Sequence, residues 1–180
     1  MSLLKLASVF LADEDNRKAI SNVFDSGIKL LKGDQDQDGD GDFDEDDALI
    51  LFKEAQMLVS VWGHSALSDG VIGEEEEDAV SFLFEDVILK EILTTETIRL
   101  LNTSRKEVKN ILFEQFENPI SLKQISKYAR DMELEEVFYE HAWCICGYDE
   151  IITDDEREFL DYFADALELN RFDKRKIERK

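Results

Sequence analysis

Pro119 is the only proline in a chain of 180 residues, and eight glycines are the other strong breakers. Proline removes a backbone donor and clashes with the preceding turn, so a chain that almost lacks it can run helices over long uninterrupted stretches. Strict alternation of apolar and polar residues, the mark of a half-buried strand, is scarce. Together these predict an all-α fold, with helices over 3–11, 15–32, 45–63, 74–93, 95–103, 105–117, 120–130, 133–147, 154–168 and 171–179. Asn118-Pro119 marks a break inside the helical body. With 43% hydrophobic residues the chain has the material for a core, and its length fits one domain or one domain with an appendage. The expected division is an N-terminal helical arm and acidic loop over 1–47, followed by a helical body over 48–180.

Residues 36–47, Asp-Gln-Asp-Gly-Asp-Gly-Asp-Phe-Asp-Glu-Asp-Asp, match the calcium loop of an EF-hand. Such a loop presents oxygens from positions 1, 3, 5, 7, 9 and 12 and needs glycine at position 6, where the backbone turns through positive φ. Asp36, Asp38 and Asp40 fill the first three positions and Gly41 the turn. Asp42 offers its backbone carbonyl, Asp44 the ninth position and Asp47 the twelfth. Phe43 is expected to point inward and pin the loop to the core, with Leu51, Phe52 and Ala55 on one face of the outgoing helix. Calcium is the expected ligand, with magnesium as the alternative. Asp47 is one methylene shorter than the usual Glu, so a one-oxygen contact and weaker selectivity for calcium are expected. A second frame, from Asp34 to Glu45, supplies a Glu at the twelfth position but puts Gly41 where the apolar anchor belongs. The bland alternative is a solvated acidic linker, since nine carboxylates in fourteen residues repel one another. Random acidity would not place the glycine and phenylalanine in register with the aspartates.

A second pattern occurs twice. Asp69-Gly-Val-Ile72-Gly-Glu-Glu-Glu76 and Asp149-Glu-Ile-Ile152-Thr-Asp-Asp-Glu156 each hold an Asp, an Ile three residues later and a Glu seven residues later. Apolar residues then follow that Glu at offsets of three, four and seven: Ala79, Val80 and Leu83 in one copy, Phe159, Leu160 and Phe163 in the other. That spacing makes one buried helical stripe, so two related helix-loop-helix units are expected to pack together. Thr153 and Glu156 fit a capping box at a helix start. A cap does not require the earlier Asp, and the alternative is that Asp69, Glu76, Asp149 and Glu156 converge into an all-oxygen cation site or a charged contact surface.

These two segments, with Ser68-Asp69-Gly70-Val71-Ile72 and Asp155-Glu156-Arg157-Glu158-Phe159-Leu160 followed by Ala164 and Leu167, resemble the tellurite-resistance TerB-like family over roughly residues 48–180. The resemblance implies an all-helical fold, an acidic surface that binds divalent metal, and a non-catalytic role in a bacterial stress-response assembly with a protein partner. The calcium-type loop lies outside that match, as an added element.

The formal charge of −22 excludes general binding to nucleic acid or an anionic membrane, both of which demand clustered Lys and Arg. The last ten residues reverse the sign, with six Lys or Arg against Asp173 and Glu178, and read as dipole complement and a solubility device. No segment has the apolar length for a bilayer span. Met1 to Ala12 is apolar but carries Lys5 inside the run and lacks a basic leader, which favours an amphipathic helix packed on the domain or on a second copy over a signal peptide. Cys144 and Cys146, two apart on a predicted helix, read as small core residues of a reducing, cytoplasmic compartment. Trp62, Trp143 and His141 read as core or rim residues. Only His64 and His141 are present, with Val61 and Phe138 three residues before them, so the Glu-x-x-His pattern of a di-iron bundle is missing. A metal-dependent hydrolase using Asp69, Glu76, Asp149 and Glu156, and a structural partner-binding domain, are the competing functions.

Overall fold

The computed structural model describes residues 43–68, 70, 83–147 and 152–179. Among these every regular element is helical: α1 (Glu45–Ala66), α2 (Leu83–Ile92), α3 (Thr95–Leu100), α4 (Arg105–Glu117), α5 (Leu122–Asp131), α6 (Glu135–Cys146), α7 (Asp154–Ala166) and α8 (Arg171–Ile177). The predicted helices over 3–11 and 15–32, and the first part of 74–93, lie outside the described residues.

Helix starts follow cap chemistry. Thr94, Ser104, Thr153 and Asn170 each offer a side-chain oxygen to backbone N–H groups of the first turn that have no intrahelical partner. Three stops share one geometry. Asn102, Glu133 and Glu168 take positive φ of 49°, 57° and 61°, and the residue after each donates its N–H back five residues, to Ile98, Ala129 and Ala164. This is the left-handed turn that ends many helices, made here without glycine. α2 is a π-helix, and the amide of Leu93 continues its wide turn by donating to the carbonyl of Ile88 at 2.7 Å.

α1 is the hub. It packs against α6 and α4 and also meets α2, α3 and α5. Its sequence permits this because Ala55, Leu58, Val59, Val61, Trp62 and Ala66 are buried on several sides of the helix, and a helix apolar around most of its circumference belongs inside a bundle. Trp62 meets the edge of Phe84 at 6.0 Å between ring centroids, and Phe84 stacks on Phe113 at 4.6 Å. α8 closes on α6, while α7 bridges α5 and α6.

The Asn118-Pro119 break is held by one face of α1. Ser60 Oγ accepts the amide of Ile120 at 3.2 Å, and the Ile120 carbonyl accepts from Nε2 of His64 at 2.8 Å. Because a carbonyl only accepts, that histidine nitrogen carries the proton. Gly63 lies between these two residues in sequence, and a Cβ there would stand 2.4 Å from the carbonyl oxygen of Phe116. The close crossing of α1 and α4 therefore requires glycine.

Candidate cation site

The described part of the acidic ladder begins at its anchor. Phe43 is half-buried and packs against the core, as its place in the motif predicts. Asp44 is the N-cap of α1, accepting from the amides of Asp46 at 2.8 Å and Asp47 at 3.3 Å. Asp47, fully buried, returns the bond by accepting the Asp44 amide at 3.1 Å. Glu45, Asp46 and Asp47 in the first turn face the positive end of the helix dipole. The division drawn after residue 47 falls within this first turn. Leu51 and Ala55 are buried and Phe52 packs on the core, as an outgoing helix of this kind needs. Asp36, Asp38, Asp40 and Asp42 lie outside the described residues.

In the second acidic segment the structure resolves the capping half. Glu156, 5% exposed, accepts from both the amide and the hydroxyl of Thr153 with one oxygen, at 2.7 and 2.8 Å, and its own amide donates back to that hydroxyl. The local geometry at Glu156 is a complete capping box. Asp69, Glu76 and Asp149 lie outside the described residues. Asp44 and Asp47 are brought together at the start of α1, while Glu156 serves the start of α7. Among the described residues there is no group of three or more His, Cys, Asp or Glu side chains arranged to hold a metal ion.

One titratable group was not singled out from the sequence. Glu54, 3% exposed, lies two turns beyond Asp47 on the buried face of α1, and its Oε2 has no hydrogen-bond partner. Burial pushes its pKa up to about 7. Tyr128 on α5 is close enough to feel it: burial first, and then the Glu54 charge, hold the phenol proton on far above its usual range. The Lys53 ammonium sits 5.0 Å from the centre of the Tyr128 ring. A glutamate set between Leu51 and Leu58 in an apolar stripe is the sequence signal that would have found it.

The histidines behave as packed residues. Nδ1 of His141 accepts the indole N–H of Trp62 at 3.1 Å, and burial pushes its pKa down to about 3. Burial also lowers His64, against a raising effect from its bond to Ile120. Cys146 is buried and Cys144 half-buried against the core. No helix among the described residues is long and apolar enough to cross a membrane. Neither a family model, nor a curated protein, nor a solved structure matches this chain.

Proposed function

We propose that this protein is a non-catalytic module that binds a divalent cation, calcium or magnesium, through residues 36–47, and that in line with its TerB-like resemblance it acts as a cytoplasmic sensing component of a bacterial stress-response assembly. The observation that carries the cation reading is where α1 starts. In the 36–47 register the apolar anchor, the ninth position and the twelfth position are Phe43, Asp44 and Asp47, and these are respectively a core contact, the N-cap and the third residue of the first turn. A loop of this kind hands its chain directly to an outgoing helix, and the 34–45 frame would instead end at the first helical residue. A cation held there would be tied to the hub helix, so loading would register on the whole bundle.

Isothermal calorimetry with calcium and with magnesium tests this, paired with melting curves of wild type and of the Asp36→Ala, Asp40→Ala double variant. A ligand that binds only the folded state raises its melting temperature by mass action. Wild type should bind one cation per chain and melt higher with metal, and the double variant should do neither. A wild type that melts identically with and without both metals rules the reading out.

A further inference from the structure

α8 carries a surface that the other described residues leave unused. Lys174 bonds to Asp161 of α7 and lies 3.7 Å from Glu178, and Lys176 reaches Glu136 of α6 at 3.4 Å. The side chains of Arg171, Arg175 and Arg179 make no ion pair or hydrogen bond among the described residues, although the chain holds 43 carboxylates against 21 Lys and Arg. Spaced four apart, the three fall on one exposed face, two on the helix and one in the turn after it. Like charges at this spacing weaken a helix. Dipole complement accounts for Arg175 and Arg179, but Arg171 is the first helical residue, at the end where the dipole opposes a cation. Beside Arg171 stands Phe172, 77% exposed, the most exposed large apolar side chain among the described residues. Asn170 accepts from the amides of Phe172 and Asp173 at 2.9 and 3.0 Å, so the turn that presents this ring is fixed.

We infer that the Arg171, Arg175 and Arg179 face of α8, with Phe172 at its edge, docks an acidic segment of a partner protein that also carries an apolar side chain. Guanidinium groups pair with carboxylates through two parallel bonds, and the exposed ring beside them suits an apolar counterpart that a bare polyanion lacks. The formal charge of −22 for the whole chain selects the same occupant: a long nucleic acid or an anionic bilayer would meet the acidic flanks, whereas a short acidic segment contacts only the basic face.

The inference does not depend on cation binding. Its probe is a fluorescein-labelled synthetic peptide, unrelated to this chain, in which a run of glutamates precedes a valine and a phenylalanine. Fluorescence anisotropy in EDTA should show wild type binding this peptide and releasing it as salt is added. The triple variant Arg171→Gln, Arg175→Gln, Arg179→Gln should bind roughly tenfold or more weakly. Phe172→Ala should weaken binding at unchanged salt dependence, and Lys123→Gln with Lys127→Gln, exposed on α5, should leave it unaltered. All substituted side chains are exposed, and circular dichroism checks that each variant is folded. The inference is overturned if wild type does not bind, if the triple variant binds equally, or if phosphatidylserine vesicles or a single-stranded oligonucleotide bind more tightly than the peptide. A dimer in sedimentation equilibrium that the triple variant loses would give the face to a second copy and overturn it as well.

Discussion

The indole N–H of Trp62 and Nδ1 of His141 meet at 3.1 Å across 79 residues of chain, joining the two helices at the centre of the bundle. The bond fixes the tautomer: Nδ1 accepts, so the ring proton of the neutral imidazole is on Nε2. Trp62→Phe keeps an aromatic ring against Phe84 but removes the donor. A buried acceptor left without its partner costs about 1–3 kcal/mol, and urea unfolding should show a loss of that size with the slope unchanged. An unchanged midpoint would mean the pair contributes nothing to stability.

Glu54 makes stability depend on pH in an unusual direction. Burial lifts its pKa to about 7 in the folded protein against an ordinary value of 4.5, so between these the folded state holds the extra proton. Stability from this group is therefore intact below about pH 4.5 and is lost as pH rises through about 7. Glu54→Gln should be about 3 kcal/mol more stable than wild type at pH 8 and nearly equal at pH 4.5. His141 works oppositely. With its pKa held at about 3 against 6.5, it subtracts stability as pH falls from about 6.5 toward 3. Denaturation at closely spaced pH values reads both, and a Glu54→Gln curve parallel to wild type would refute the first.

Gly63→Ala sets two effects against each other. Alanine gains about 1 kcal/mol of helix propensity over glycine. The added methyl would lie 2.4 Å from the Phe116 carbonyl oxygen, a backbone atom that moves only with α4. Overpacking of this kind costs about 1–3 kcal/mol, so after the propensity gain the net effect should be a loss of up to about 2 kcal/mol, seen as a lower melting temperature. A gain would show that the helices separate freely.

Glu133 adopts positive φ at the end of α5 and is exposed, so its side chain gains nothing that offsets the backbone conformation. Glu133→Gly should stabilise by about 0.5 kcal/mol after allowing for the greater freedom of glycine in the unfolded chain. Glu133→Ala keeps the Cβ and should give no such gain. Equal responses of the two variants would count against backbone strain as the cause.

Helix positions were readable because their signals are local. Thr153 and Glu156 announce the start of α7 within four residues, and the predicted span 105–117 is the observed α4. Asp44 and Asp47 were legible as motif positions, but their exchange of hydrogen bonds shows that the same side chains also cap a helix, and spacing alone does not separate the two uses. Contacts that span the chain left no such trace. Nothing around Ser60 or His64 announces that both serve Ile120, because that pairing depends on how α1 crosses the break after α4. Sequence shows the sign of the basic final segment and its place on a helix, and only the geometry distinguishes the engaged lysines from the arginines. The π-helical winding of α2 has no sequence explanation that we can give.

The hub position of α1 also has a cost in time. Its contacts are made by Phe116 and Ile120, by His141, and by Cys146, whose thiol reaches the Ser65 carbonyl 81 residues away. On a ribosome adding roughly 5–20 residues per second, α1 emerges several seconds before the segment that becomes α6. During that interval the side of α1 that α6 covers in the finished bundle lacks that cover, and closure there must await contacts of long sequence separation, the kind that slow folding. The helix that organises the finished bundle thus spends part of synthesis with an apolar side that needs protection from aggregation.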